Sequence, residues 1–264
     1  MGDGAPSWSE LRARFDRQAT PFAFVIPVYN HARNVRQVAA AAAASGAVVV
    51  VVDDGSTDGS HAAVADLEGV TVVRHPENRG KGAAILTGLA AVAAAPVAAS
   101  FAVTVDADGQ HFPDDARALL AEVLPDDASS ARIKLVVGAR ARMQGGAAPW
   151  SSRFGRHFSG FWVWASGGPM LSDSQSGFRV YPVAETLALP TRARHFEFEV
   201  EVLVQAKRAG LAIVEVPVSV SYAPPGGRVS HFRPWRDFGR NSAAFTRLIA
   251  TRLLPRRRLP RSRS

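Results

Sequence analysis

The sequence predicts an α/β protein: a Rossmann-like, mostly parallel β-sheet with helices on both faces, followed by a basic amphipathic C-terminal helix. Short valine-rich runs alternate with helix-like segments, the pattern of strands buried on both faces. Polar clusters fall at the ends of those runs, where open α/β sheets place their ligands. The C-terminal helix is predicted from apolar residues set among a concentration of arginine.

Along the chain, Phe22–Val28 reads as a strand and Val35–Ala44 as a helix. The apolar stretch Val38–Val52 is interrupted by Ser45 and Gly46 and changes from alanines to valines. A spanning helix needs about 20 apolar residues, so this is a buried helix, a turn and a second strand, Val48–Asp53. Gly59–Leu67 is expected to be helical, Val70–Arg74 a strand, Ala83–Ala94 a helix and Phe101–Asp106 a strand. Pro113–Leu124 follows as a helix and Lys134–Ala139 as a strand. Gln144–Trp150 is a Gly/Ala/Pro loop, and Phe154–Trp164 carries aromatics partly at helical spacing. Ser176–Tyr181 and Ile213–Tyr222 read as strands flanking a helix over Glu197–Ala209. A loop opens at Pro224, and Trp235–Leu254 is the C-terminal helix. The organisation is therefore an N-terminal segment (1–20), a main α/β domain (21–222) and a basic loop, helix and tail (223–264).

Composition narrows the chemistry. At 47% hydrophobic and 20% charged residues the chain is an ordinary globular protein rather than a disordered or fibrous one. With no cysteine, a metal must sit on oxygen or imidazole. Residues 1–18 are charged and lack the apolar core of a secretory signal, and the absence of cysteine suits a cytoplasmic location. Residues 222–264 hold eleven arginines and one carboxylate, Asp237, so their +10 exceeds the +8 of the whole chain and leaves the rest at −2. Such an end seeks an anionic partner. No nucleic-acid recognition module accompanies it, so nucleic acid is not expected.

Four strand ends carry the polar residues. Tyr29-Asn30 follows the first strand, Asp53-Asp54-Gly55-Ser56-Thr57-Asp58-Gly59 the second, Asn78-Arg79-Gly80-Lys81-Gly82 the third and Asp106-Ala107-Asp108 the fourth. Asp106 and Asp108 point to one face as the chain leaves the sheet. Two such carboxylates form a hard oxygen site suited to Mg²⁺ or Mn²⁺, to which Gln110 and His111 can add. Asp53 or Asp54 can accept hydrogen bonds from a nucleobase or ribose, while Ser56, Thr57 or Asp58 caps the next helix. Lys81 opens a helix whose free N–H groups favour an anion.

These four stretches, with Phe24-Val25-Ile26-Pro27-Val28 before the first and Gly109-Gln110-His111 after the last, resemble the family 2 glycosyltransferases of the GT-A fold over roughly residues 22–220. With Ser174-Gln175-Ser176-Gly177-Phe178-Arg179, the resemblance leans to the dolichyl- or polyprenyl-phosphate mannose synthase branch. It implies inverting transfer from a nucleotide diphosphate sugar with a divalent cation, Mg²⁺ or Mn²⁺. It places Pro27, Tyr29 and Asp54 around the nucleoside, Lys81 near the phosphates, and Asp106, Asp108 and Gln110 on the metal. The donor-binding set is accordingly Pro27, Tyr29, Asn30, Asp53, Asp54, Lys81, Asp106 and Ala107. Where that branch carries Gly-x-Ser-Lys, this chain has Arg228-Val229-Ser230-His231.

For the acceptor side, Asp173 is the candidate general base if a hydroxyl attacks, and Arg179 a candidate phosphate ligand. Arg228, Ser230 and His231 lie in a loop placed by resemblance over the donor phosphates. Glu197 and Glu201 share a helix face that Glu199 does not; His195-Phe196-Glu197 is a candidate lining of the acceptor pocket, with ordinary helix packing and solvation the expectation. Phe238, Phe245, Leu248, Ile249, Leu253 and Leu254 lie among Arg236, Arg240, Arg247 and Arg252, ahead of Arg256–Arg258, as on a helix lying along an anionic membrane. The expectation is a peripheral enzyme at the inner face of the cell membrane, transferring a sugar to a lipid acceptor such as polyprenyl phosphate. The alternatives are transfer to a soluble glycan hydroxyl with Asp173 as base, and a catalytically silent, nucleotide-sugar-binding membrane adaptor.

Overall fold

The computed structural model of the chain describes residues 5–17, 21–96, 98–111, 113–124, 133–144, 159–221 and 234–252. Seven strands form one sheet in the order β3-β2-β1-β4-β6-β5-β7. The strands are β1 (Phe22–Val28), β2 (Val48–Asp53), β3 (Val70–Arg74), β4 (Phe101–Thr104), β5 (Lys134–Gln144), β6 (Arg179–Pro182) and β7 (Ala212–Ser221). The helices are α1 (Trp8–Arg17), α2 (Ala32–Ala43), α3 (Lys81–Ala93), α4 (Ala116–Val123), α5 (159–165), α6 (Val183–Ala188), α7 (Phe198–Ala209) and α8 (Pro234–Arg252). This is the GT-A-like α/β fold that the sequence predicts.

Alternation along β1 divides the core. Phe22, Phe24, Ile26 and Val28 join Leu11 and Phe15 of α1, Val35 and Val38 of α2 and Leu119 of α4 on one face. Ala23 and Val25 join Ile85 and Leu89 of α3 and Phe198 and Val202 of α7 on the other. A smaller seam of Val163, Val200, Val204, Phe245 and Leu248 ties α5, α7 and α8 together.

β6 is the antiparallel member, pairing with both β4 and β5. Its first residue, Arg179, lies opposite Thr104, the last of β4. The reversal therefore brings the segment before β6 to the edge where the parallel strands end. That edge is where the polar clusters sit.

Several boundaries differ from the sequence reading. Gly59–Leu67 forms only a 3₁₀ turn at Ala62–Val64, since Gly59 takes a φ of 86° and Asp58 holds Ser60 in a local turn. Residues 113–115 are likewise a 3₁₀ turn before α4. β6 starts at Arg179 because the Ser176 and Gly177 carbonyls accept from Arg179 Nε (2.7 Å) and Thr104 Oγ1 (2.7 Å) instead of a ladder. β5 runs on to Gln144. α1 lies within the segment set apart as 1–20; Trp8, Leu11 and Phe15 recur at helical spacing, and the last two are buried on the sheet.

Candidate active site

The ends of β1 and β2 are bound to each other by side chains. Asn30 takes a φ of 54°, uncommon for a residue other than glycine. Its Oδ1 accepts the Thr57 N–H at 2.9 Å, and its own N–H donates to Ser56 Oγ at 2.9 Å. Asp53 is fully buried. Its Oδ1 accepts the Ser56 N–H at 2.9 Å, and its Oδ2 lies 3.3 Å from Arg74 Nε and 3.6 Å from His61 Nδ1. Asp54, 3% exposed, has a carboxylate committed to the protein: the Arg79 and Gly80 N–H groups donate to it at 2.9 and 2.8 Å, and His75 Nδ1 lies 2.7 Å away. It thereby fixes the turn that starts α3. Pro27 is buried in register with Val52, and Tyr29 is half-buried just past β1.

The other half of the site forms where β4 ends. Lys81, the first residue of α3, places its Nζ 2.8 Å from Asp106 Oδ1 and 2.6 Å from Glu199 Oε1. Burial alone would depress the Lys81 amine, but the Asp106 and Glu199 carboxylates outweigh it and raise its pKa above the ordinary lysine value. Burial pushes the Asp106 carboxyl up while Lys81 pulls it down, and it stays below the usual carboxylate value. A Cβ on Gly177 would collide with both Lys81 Nζ and the Asp106 carboxylate. Only glycine lets the 173–178 segment approach this ion pair so closely.

Asp108 Oδ1 accepts the Gln110 N–H at 3.0 Å, and its carbonyl accepts Asn34 Nδ2 at 2.9 Å. Ala107 is buried between the two aspartates in sequence, within the core beside β1 and α2. His111 stacks on Phe178 at 5.0 Å, and its Nδ1 is buried with no hydrogen-bond partner among the described residues. Burial drives its imidazole down to about 4; Asp106 opposes this and Arg140 adds to it. Asp106 and Asp108 offer carboxylate oxygens, the donor type that Mg²⁺ or Mn²⁺ takes. Among the described residues no group of three or more His, Asp or Glu side chains converges. A cation here would take its other ligands from water or phosphate.

Asp173 is buried and clamped by Arg140, with Nε at 2.5 Å and Nη2 at 2.7 Å from its two oxygens. Glu215 of β7 sets the clamp by accepting the Asp173 and Ser172 N–H groups at 3.0 and 2.8 Å. Arg179 is fully buried. Its donors reach the carbonyls of Ser176 (2.7 Å), Ser174 (2.9 Å) and Glu199 (2.7 Å), so it ties the segment before β6 to α7. Arg228, Ser230 and His231 lie outside the described residues.

The fold therefore gathers Lys81, Asp106, Asp173 and His111 with two groups the sequence reading left out of its site set, Glu199 and Arg140. Glu201, two residues from Glu199, turns away to Arg247 Nη2 of α8 at 2.7 Å. For Arg140 the signal was an arginine at the end of a valine-rich strand; for Glu199 its own helix, with alternating glutamates, carried none.

The profile of the family described as Glycosyl transferase family 2 matches residues 23–186. The chain is 30% identical over 219 residues to UDP-N-acetylglucosamine–dolichyl-phosphate N-acetylglucosaminyltransferase of Methanococcus voltae, covering 75% of this chain and 84% of that protein. It is 30% identical over 212 residues to polyprenol monophosphomannose synthase of Mycolicibacterium smegmatis, covering 74% and 75%. Its fold aligns with crystalline glucosyl-3-phosphoglycerate synthase of Mycobacterium tuberculosis in complex with phosphoglyceric acid, with a TM-score of 0.69 at 21% identity over 93% of this chain and 85% of that one.

Proposed function

The chain belongs to glycosyl transferase family 2, and from that premise we propose that it transfers a sugar, with inversion, from a nucleotide diphosphate sugar to a lipid phosphate of the polyprenyl phosphate class. One observation carries the donor half: an amine held in its cationic form by its carboxylate partners, Lys81, is built against Asp106 just past β4, two residues before Asp108. A diphosphate and its counter-cation need such paired positive and negative groups. A divalent cation held by Asp106 and Asp108, with Gln110 nearby, would neutralise the donor's diphosphate and stabilise the charge that develops as the nucleoside diphosphate leaves. Lys81 faces the same phosphates from the N-terminus of α3. Pro27, Tyr29, Asn30, Asp53 and Asp54 form the nucleoside side; Asp54 shapes it through the Arg79–Gly80 turn.

The acceptor class follows the relatives named for dolichyl phosphate and polyprenol. The state of Asp173 agrees with it. Both of its oxygens bind Arg140, an arrangement poorly suited to taking a proton from a neutral hydroxyl. A phosphate brings its own negative charge and needs cationic positioning, for which Arg140, Arg228 and His231 are the proposed groups, with Ser230 as a hydrogen-bond donor. The proposed location is the cytoplasmic face of the cell membrane. Among the described residues no helix is long and apolar enough to cross a membrane, so α8 and the arginines after it are the proposed attachment.

The test is incubation of purified protein with polyprenyl phosphate in anionic vesicles, a divalent cation and a panel of labelled nucleotide sugars. Label extractable into organic solvent from at least one donor is expected. No such label from any donor, with label instead entering a water-soluble glycan, would overturn the lipid acceptor.

A further inference from the structure

The clearest unexplained feature outside the site is a solvent-facing apolar ridge on α5. Phe161 and Trp164 are 55% and 52% exposed, and Met170 is 81% exposed. Residues three apart share a helix face, and the Phe161 and Trp164 rings stand 6.0 Å apart. The opposite face of α5 is anchored: Val163 is buried in the seam with α7 and α8, and Trp162 packs 6.2 Å from Phe245 of α8. After Gly167, at a φ of 84°, the chain returns along α5. Gly168 N–H donates to the Val163 carbonyl at 2.9 Å, and Ser174 Oγ lies 3.1 Å from Ser159 Oγ. Met170 is on that return, three residues before Asp173.

Positive charge meets the end of this ridge. Arg252 Nη1 donates to the Ala165 carbonyl at 3.0 Å, and Arg208 Nη2 to the Ser166 carbonyl at 2.9 Å. Cations at a helix C-terminus are favourable, and the Ala165 carbonyl leaves the net charge of the Arg252 guanidinium in place. Arg252 is exposed and is followed in sequence by Arg256-Arg257-Arg258. Aromatic side chains beside arginines that can reach up along their stems are the composition of a membrane–water interface.

We propose that α5, the return through Met170 and the end of α8 form one docking unit for an anionic bilayer, with Phe161, Trp164 and Met170 entering the interfacial layer and the exposed Arg252 facing lipid headgroups. The inference rests on the lipid-acceptor reading and adds to it the surface that meets the membrane. Because the return continues into Asp173, docking by this unit sets the Arg140–Asp173 clamp close to the bilayer surface, where a lipid phosphate lies.

The test floats the full chain with vesicles of phosphatidylcholine alone or mixed with phosphatidylglycerol. Neither donor nor acceptor is present, so failure here is separable from failure of sugar transfer. Flotation with anionic vesicles is expected, with Phe161→Ser/Trp164→Ser lowering partitioning by about tenfold. Trp164→Phe should keep binding but remove part of the tryptophan quenching by brominated acyl chains. Circular dichroism and unchanged transfer to a short-chain, water-soluble polyprenyl phosphate check that the variants are folded. Wild-type protein that stays unbound, a double-serine variant that floats like wild type, or self-association that the double variant abolishes without altering flotation would each overturn the proposal.

Discussion

Two strand ends in this molecule carry adjacent or near-adjacent aspartates, and they do opposite things. After β2, Asp54 is buried and its carboxylate is satisfied by His75 and the N–H groups of Arg79 and Gly80. After β4, the Asp106 side chain keeps 26% of its surface exposed and is balanced by Lys81. The first aspartate is part of the scaffold; the second is partly open to solvent and paired with an amine. They are linked, because the turn that Asp54 fixes ends at Gly80, immediately before Lys81. A carboxylate in the scaffold thus sets where the amine of the working pair begins.

The sharpest way to separate the two is substitution. Asp106→Asn should lower sugar transfer by about a thousandfold while the protein keeps its melting temperature within a few degrees, read by a transfer assay beside calorimetry. Asp54→Ala should act mainly on the fold. It strands buried donors, and denaturant unfolding should show a loss of about 3 kcal/mol, with transfer falling as the turn before α3 loosens. Gly177→Ala tests the contact between the Lys81–Asp106 pair and the segment before β6. The new methyl group must displace Lys81 or Asp106, and a loss of activity of about tenfold to a hundredfold is expected with a small change in stability.

Asp58→Ala is the mildest. Burial pushes the Asp58 carboxyl up, but hydrogen bonds from Ser60 and the Ala32 N–H outweigh it and hold it below the ordinary carboxylate value. As a cap on the start of α2 it should contribute about 1 kcal/mol, seen as a small drop in melting temperature. A depressed carboxylate stabilises the fold above its unfolded pKa. The difference between wild type and variant should therefore be full at neutral pH and vanish as pH falls through the lowered folded value.

The sheet was legible because each parallel strand is a run of valine or mixed apolar residues closed by a polar cluster. Phe24-Val25-Ile26, Val48–Val52 and Val70–Val73 needed no tertiary information. β6 was harder: Ser176 and Gly177 look like the start of a strand, yet their carbonyls serve Arg179 and Thr104, and only the reversed direction of β6 explains why they lie near Asp106. Lys81 and Asp106 were readable from their positions at successive strand ends. Glu199 was not, because a helix of alternating glutamates, Glu199 and Glu201 both buried, gives no local sign of which one meets Lys81. Its partner Lys81 is distant in sequence, and the choice is made by the packing of Phe198 and Val202 on the sheet. Arg179 was read as a possible ligand; its burial and three carbonyl partners could be known only from the fold.

The central claim is that the end of β4, not the end of β2, handles the donor's charge. Calorimetric titration of UDP and GDP into wild-type protein and Asp106→Asn, each with and without Mn²⁺, tests it most directly. The account predicts Mn²⁺-dependent binding of at least one nucleotide by wild type, and loss of that dependence in a folded Asp106→Asn. An Asp106→Asn protein that binds the same nucleotide as tightly, with the same response to Mn²⁺, would contradict it.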